Sequence, residues 1–315
     1  MEIESVLPRD AIPSIDDPTF GESYEGRSDD EVLVVEGTPP RAYPVRILNF
    51  HEIVNDVVDG DPIAVTWCPL CGSAIVYERF VDGRTLTFGV SGKLADDDLV
   101  MYDRETESEW KQSLGECIAG ELEGTTLSVR PASMLTYETF TSLYPNGIVL
   151  QPADVESEAA SETDEPAPVD YSMDPYESYF DADGFGLSAH RHGESDRSWE
   201  YDELRPKTAV LGIEIDGEAI GVPYPWVLAA GGVVSATVGS TDVIVFGTDA
   251  GMYAYEDPGY TFERIDGRFV GDDTEWVPET GRSADDRRLE PVPTKRLFAF
   301  AWRDDHGDAA FLDPR

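Results

Sequence analysis

Two parts of this 315-residue chain carry the same order of apolar and small residues about 180 positions apart, and this repeat limits what the chain can fold into. Ile47 and Ile53 of the first part correspond to Val227 and Val233 of the second, both at an offset of 180 (227 − 47). Chance does not place a tryptophan, a glycine and several β-branched pairs in one order twice. The sequence therefore predicts an internal duplication that forms two homologous β-rich lobes. The other matched stretches are 31–36 with 209–214, 63–65 with 243–245, Trp110 and Gly115 with Trp276 and Gly281, and 127–131 with 289–293.

Between the two parts lies a stretch, residues 153–170, that consists of Asp, Glu, Ser, Ala and Pro with little apolar patterning. Such a composition cannot bury a core and is typical of a solvated linker. The predicted organisation is an N-terminal extension (1–30), a first repeat lobe (31–152), an acidic linker with a connecting segment (153–207) and a second, degenerate lobe (208–315).

The chain is strongly acidic, with 64 acidic against 23 basic side chains and a formal net charge of −41. In dilute buffer the mutual repulsion of the acidic groups destabilises the compact state. At 1 M salt the Debye length falls to about 3 Å, and this repulsion is screened. The composition therefore predicts a halophilic, haloarchaeal type of protein. Because no basic face is visible, neither nucleic acid nor an anionic membrane surface is an expected partner. The identity of a protein or small-molecule partner stays open.

Export and membrane signals are missing from the sequence as given. The first eight residues lack the basic start and apolar core of a secretion signal, and no run of about 18 apolar residues occurs. We therefore expect no membrane insertion and a cytoplasmic location. A phosphate-binding loop, a nucleophile elbow and a His-Glu-x-x-His signature are also missing, so no nucleotide cofactor is indicated.

The apolar period predicts an α+β, mainly β fold. One helix is expected over residues 46–58, with Ile47, His51, Val54 and Val58 on its inner face. Further elements are a buried strand over 63–67, a hairpin around Val81-Asp82-Gly83, strands over 99–102 and 127–130, and a short helix over 134–144.

The motif Cys68-Pro69-Leu70-Cys71 follows the predicted buried strand and is the leading candidate for a functional site. Two cysteines at this spacing bind one metal ion from a tight turn, and His51 on the neighbouring helix would supply a third ligand. Three ligands with one open position suit zinc or copper, and Met101 would be a weak fourth ligand for copper. The second copy has Gly231 opposite His51 and no cysteine, which favours a site confined to the first copy.

Other interpretations of the motif remain open. In a thiol-disulfide protein, Cys68 would attack and Cys71 would resolve, although the predicted strand after Gly72 is unlike the helix that usually follows such a pair. Inert buried thiols, or a non-catalytic binding module, are further alternatives. Three cysteines in 315 residues do not form a disulfide-rich scaffold, and Cys117 cannot be assumed to pair with either motif cysteine, so we expect at most one disulfide.

Several polar residues are candidates for a supporting role around His51 and the cysteines. They are Glu52, Asn55, Asp56 and Trp110, of which the recurring Trp110 is expected to be structural. Two more polar groups are expected to be solvated, namely the acidic cluster 96–98 and His190 with its neighbours.

Four motifs of the chain resemble the domain of unknown function 3179 family. They are residues 7–16 (LPRDAIPSID), 41–56 (RAYPVRILNFHEIVND), 68–74 (CPLCGSA) and 98–106 (DLVMYDRET). The segment 174–207 and the second half are similar to the longer members, so the resemblance covers most of the chain. It implies a fold and boundaries rather than a reaction. Members often carry an export signal, which implies an extracytoplasmic location as the alternative.

Overall fold

Strands dominate the chain, as its β-branched and aromatic runs predict. A computed structural model describes residues 1–161, 165–307 and 310–312. Strands hold 41% of the residues and helices 13%, so the mainly β fold class is confirmed.

The elements up to residue 150 include the cysteine hairpin. They are β1 (Ile3–Ser5), β2 (Phe20–Gly21), β3 (Glu31–Val35), β4 (Arg41–Pro44), α1 (Val45–Leu48), β5 (Ile53–Val58), β6 (Asp61–Cys68), β7 (Ser73–Glu78), β8 (Phe80–Val81), β9 (Arg84–Thr85), β10 (Phe88–Ala95), β11 (Asp98–Asp103), β12 (Glu109–Lys111), β13 (Glu116–Ala119), β14 (Ser133–Thr136), α2 (Tyr137–Leu143) and β15 (Ile148–Leu150).

The elements after residue 150 begin with short pieces and end with a helix. They are β16 (Glu156–Ser157), a 3-10 turn (Glu158–Ala160), β17 (Ala167–Pro168), α3 (Glu177–Asp181), α4 (Gly186–His192), β18 (Ala209–Ile215), β19 (Glu218–Pro223), α5 (Tyr224–Ala229), β20 (Val233–Val238), β21 (Thr241–Thr248), β22 (Gly251–Glu256), β23 (Phe262–Ile265), β24 (Arg268–Gly271), β25 (Thr274–Val277), β26 (Arg282–Ser283), β27 (Lys295–Phe298) and α6 (Ala299–His306).

One six-stranded sheet joins the two halves of the chain, in the order β19-β18-β27-β7-β6-β5. Its first three strands come from the second half and its last three from the first, and they meet where Arg296 pairs with Ala74. A five-stranded sheet, β1-β10-β11-β12-β13, brings β11 to the side of the cysteine hairpin. The two predicted lobes thus share a sheet.

The same order of elements occurs in both halves. The run β3, β4, α1, β5, β6, β7 is followed later by β18, β19, α5, β20, β21, β22. In each half a later strand pairs with the first strand of the run and leads directly into a helix. These strands are β14, which pairs with β3 and precedes α2, and β27, which pairs with β18 and precedes α6. β6 and β21 begin at Asp61 and Thr241, again 180 residues apart (241 − 61). An origin by duplication stays a prediction.

The long helix predicted over residues 46–58 is wrong beyond Leu48. α1 is one turn long, and Ile53–Val58 forms strand β5 instead. The β-branched residues of this segment favour a strand, and Glu52 breaks the helix with a φ of 59°. His51 is nevertheless fully buried, as predicted.

Most of the other predicted elements are confirmed, namely β6, the Asp82-Gly83 hairpin between β8 and β9, β11 and α2. Residues 127–130 form only an isolated bridge, in which Val129 pairs with Tyr77. They therefore do not form the predicted strand.

The segment predicted as linker and connection contributes to the core. Ser157 is buried and its hydroxyl donates to the Phe50 carbonyl over 2.8 Å. Tyr176 and Tyr179 lie in the same apolar cluster as Cys68 and Cys71. Residues 162–164 of the predicted linker lie outside the described part of the chain, and the linker itself stays a prediction. Within the described ranges, the helices are all too short or too polar to cross a bilayer.

Candidate metal centre and adjoining cavity

The two motif cysteines lie at the closed end of the hairpin formed by β6 and β7. Cys68 is the last residue of β6 and pairs with Ser73, the first residue of β7. The turn depends on Gly72, whose φ is +54° and whose Cβ position would lie 2.6 Å from the ring of Phe298. The backbone N–H of Phe298 donates to the Cys71 carbonyl over 2.7 Å. A strand of the second half therefore fixes the cysteine turn.

A carboxylate from another hairpin completes a group of three potential ligands. β10 and β11 are joined through Asp96 and Asp97, both with positive φ, and Asp98 begins β11 with 1% of its surface exposed. The ligand atoms of Cys68, Cys71 and Asp98 all lie within 4.8 Å of one another. The prediction that the acidic cluster 96–98 is solvated is therefore wrong for Asp98.

The Asp98 carboxyl is only half satisfied by hydrogen bonds. Its Oδ2 accepts from the Ser113 N–H over 2.8 Å, whereas its Oδ1 is buried with no partner in the described chain. Burial raises the pKa of Asp98 to about 6, although the nearby Lys111 ammonium acts in the opposite direction. The hydroxyls of Ser73 and Ser113 are also buried without partners among the described residues. This part of the core is thus polar and incompletely bonded.

Both motif thiols are free and deeply buried. Burial raises the pKa of Cys68 and raises that of Cys71 well above its ordinary value. The Cys71 sulfur lies 3.4 Å from the Asp97 carbonyl oxygen, to which its S–H donates. Near neutral pH both thiols therefore carry their protons, which a metal ion displaces on binding.

His51, the predicted third ligand, does not belong to this group. Its Nδ1 lies 2.8 Å from the Pro13 carbonyl oxygen and its Nε2 lies 2.6 Å from the Tyr171 hydroxyl. Both ring nitrogens are therefore occupied by hydrogen bonds within the protein. Burial lowers the pKa of His51, which favours the neutral ring.

The predicted supporting residues have structural partners elsewhere. Asn55 donates to the Phe88 carbonyl over 2.8 Å, Asp56 accepts from the Tyr43 hydroxyl over 2.6 Å, and Trp110 donates to Asp103 over 3.0 Å. Met101 is fully buried in the cluster that contains both cysteines, and its role as a weak ligand stays a prediction.

A cavity of about 230 Å³ lies against the Cys68 side of the group. Its polar lining includes Glu52, of which 7% is exposed, and His190 from α4. Burial, with the charges of Glu158 and Asp98, raises the pKa of Glu52 to about 8. The sequence prediction assigned Glu52 a role beside His51, and the structure places it in the cavity lining.

His190 was not singled out as functional by the sequence, because its Gly- and Ser-containing surroundings indicated a surface segment. Its ring packs on Tyr176 with 5.0 Å between the ring centroids, and its buried Nδ1 has no partner in the described chain. The spacing of Tyr176, Tyr179 and Phe185 was the available signal that this segment is buried.

The fold and the buried group define a mainly β protein with a Cys-Cys-Asp cluster next to a cavity. Residues 9–309 match the model of the family described as "Protein of unknown function (DUF3179)", and the chain belongs to this family. The resemblance carried by the four sequence motifs is thereby confirmed. Comparisons with curated proteins and with solved structures gave no match.

Proposed function

We propose that the protein binds one zinc ion through Cys68, Cys71 and Asp98. The observation that carries this proposal is the convergence of three buried donor atoms within 4.8 Å of one another. In a tetrahedral zinc centre with Zn–S bonds near 2.3 Å, two sulfur ligands lie roughly 3.8 Å apart. The group therefore needs only small movements to close around the ion.

The chemistry of the donors favours zinc over copper. Thiolates alone suit Cu(I), whereas a carboxylate beside two thiolates is a mixed set that a borderline ion such as Zn²⁺ accepts. The partnerless Oδ1 of Asp98 is the kind of orphaned acceptor that a metal ion or its bound water would satisfy. Copper with Met101 as an added ligand is the second candidate ion.

The charge balance of this region also favours a bound cation. Lys111 is 3% exposed, and its ammonium already lies 2.7 Å from Asp305 and 3.3 Å from Asp96. This ammonium is therefore already shared between two carboxylates, before the carboxyl of Asp98 is counted and before metal binding turns two thiols into thiolates. A divalent ion would supply the positive charge that the described side chains do not.

Three protein ligands leave one coordination position for water or a small molecule. Cys68 also lines the adjoining cavity, so a fourth ligand has room on that side. This arrangement is typical of zinc sites that bind or transform a ligand rather than of closed structural sites.

The thiol-disulfide alternative has less support. Burial raises the pKa of both thiols, while an attacking cysteine needs a lowered one, and strand β7 rather than a helix follows the motif. Trapping of free thiols with a mass tag tests it, since a Cys68–Cys71 disulfide in the isolated protein would favour redox chemistry.

Metal content tests the proposal. Protein purified anaerobically from zinc-replete medium should contain one zinc per chain by mass spectrometry, and so should the control Cys117→Ser, because Cys117 donates to the Ala119 carbonyl away from the group. Cys71→Ser should lose the metal and Asp98→Asn should bind it at least tenfold more weakly. Titration of the unaltered protein with Co²⁺ should give thiolate-to-cobalt absorption, independently of how the variants fold. A metal-free parent without this absorption would overturn the proposal.

A further inference from the structure

The cavity beside Cys68 has a carboxyl group that no side chain of the described protein balances. Glu52 lines the cavity, and its carboxylate has neither a hydrogen-bond nor an ion-pair partner within residues 1–161, 165–307 and 310–312. A buried carboxyl group is ordinarily hydrogen-bonded or ion-paired, because burial without a partner is costly for the protonated form and more costly for the charged form. An unpaired buried Glu at a cavity wall therefore points to a missing partner.

The backbone holds Glu52 in this position at a cost. Its φ of 59° lies in the left-handed region, which is unfavourable for a residue other than glycine. Its N–H donates to the Leu48 carbonyl over 2.7 Å, and its carbonyl accepts from the Trp67 N–H over 2.8 Å. Both peptide groups are thus fixed, and the side chain is directed by the main chain rather than by a partner.

The cationic side chains of the lining are committed or lie at the rim. The Lys93 ammonium lies 2.6 Å from the Glu109 carboxylate, and Arg191 is exposed. Burial, with the charge of Arg191, lowers the pKa of His190, so its ring is neutral. A second carboxyl, that of Glu158, borders the same cavity.

The remaining walls are apolar and aromatic. Ile12, Leu70, Leu99 and Tyr176 line the cavity, and Tyr176 is 7% exposed. Such walls disfavour a fully hydrated inorganic ion and favour a ligand that carries its charge on an apolar body. The volume of about 230 Å³ equals that of roughly eight liquid waters, which suits a small molecule.

We propose that this cavity binds a small organic cation, of the primary alkyl- or arylalkylammonium class, whose ammonium group pairs with the Glu52 carboxylate. The apolar part of the ligand packs between Leu70, Leu99 and Tyr176, where the aromatic ring also attracts a cation. Binding of the cation does not require zinc, although Cys68 both lines this cavity and belongs to the proposed zinc site. The zinc proposal and the organic-cation proposal can therefore be tested, and refuted, independently of each other.

Calorimetric titration with phenethylammonium tests the site, in buffered KCl at pH 8.5. Saturable one-to-one binding is expected, with the neutral analogue 2-phenylethanol at least tenfold weaker. Glu52→Gln should weaken binding of the cation at least tenfold and leave that of the alcohol unchanged. The matched control Glu263→Gln, at an exposed position of β23, should bind like the parent.

Further measurements distinguish binding of the cation by Glu52 from binding that depends on zinc or on the apolar walls alone. Cys71→Ser, which should lack zinc, is expected to retain phenethylammonium binding. Equal binding of the cation and the alcohol, unchanged binding by Glu52→Gln, or no saturable binding by the correctly folded parent would each overturn the proposal. Folding of every variant is checked by its thermal unfolding midpoint.

Discussion

The Tyr171 hydroxyl lies 2.6 Å from Nε2 of His51, and this contact joins the segment after β17 to the loop before β5. Since the Pro13 carbonyl can only accept, Nδ1 of His51 donates to it and Nε2 is left as an acceptor. The donor that faces Nε2 is the Tyr171 hydroxyl, which also lies 3.0 Å from the Ala153 carbonyl oxygen and accepts from the Ala153 N–H over 3.2 Å. The two hydrogen bonds of His51 therefore tie three distant parts of the chain together.

Removal of this hydroxyl should destabilise the protein. Tyr171→Phe leaves the buried Nε2 of His51 without a donor and removes the hydroxyl contacts to Ala153, and we expect the free energy of unfolding to fall by about 1 to 3 kcal/mol. Denaturant unfolding in KCl measures it. Tyr137→Phe is the control, because the half-buried Tyr137 packs edge-on against Tyr24 at 5.2 Å and makes no hydroxyl bond in the described chain. Equal effects of the two changes would contradict the role of the His51 contact.

Glu52 should make the protein less stable as the pH rises. With a pKa of about 8 when folded and 4.5 as its ordinary value, the folded state holds a proton that the unfolded state has released between these values. The unfolding free energy therefore falls as pH rises from about 4.5 to about 8. Glu52→Gln removes this loss, so the variant should match the parent near pH 4.5 and exceed it by about 1 to 4 kcal/mol at pH 8. A constant difference across this range would show that Glu52 is not the responsible group.

The buried Lys111 ammonium should be essential for stability. The carboxylate of Asp305 lies 2.7 Å from the Lys111 ammonium, and its side chain is 2% exposed. Lys111→Met leaves this buried carboxylate unpaired and should lower the free energy of unfolding by about 3 to 5 kcal/mol. The double change Lys111→Met with Asp305→Asn should recover part of this loss. Arg84→Met is the control, since the exposed Arg84–Glu121 pair at 2.9 Å should be worth less than about 1 kcal/mol. If denaturant unfolding showed similar losses of stability for Lys111→Met and Arg84→Met, the buried pair would not be more important than the exposed one.

The charge of −41 predicts that salt stabilises the fold. The thermal unfolding midpoint should rise steeply between 0.1 and 1 M KCl, because the Debye length shrinks from about 10 to about 3 Å in this range. Sucrose at matched osmolality, which does not screen charge, is the control. A midpoint that is independent of KCl, or that sucrose raises equally, would contradict the halophilic interpretation.

The local elements were predictable where a short pattern decides them. β6 ends at Cys68 as its buried run before the Cys-Pro turn indicates, and the Asp82-Gly83 pair forms the expected hairpin. The helix predicted from Arg46 to Val58 shows the limit of this approach. The spacing of Ile47, His51, Val54 and Val58 fits the period of a helix, although Val54 and Val58 lie in strand β5. Their β-branched neighbours and the pairing of β5 with β6 outweighed that period.

The composition of the site lay beyond local patterns. Asp98 follows two other aspartates in a strongly acidic chain, so nothing nearby distinguishes it from a solvated residue. Its burial arises because β11 packs next to the cysteine hairpin, some 30 residues back in the chain. The cavity, similarly, needs Glu52 and His190, which are about 140 positions apart.

The sequence by itself determined the mainly β class, the family and the cysteine pair at the end of a buried strand, because these depend on residue type and short spacing. Only the tertiary structure decided that Asp98 rather than His51 joins the cysteines, and that Glu52 faces a cavity. The physical reason is that strand pairing and burial bring distant residues together, and both depend on the whole chain rather than on any local period.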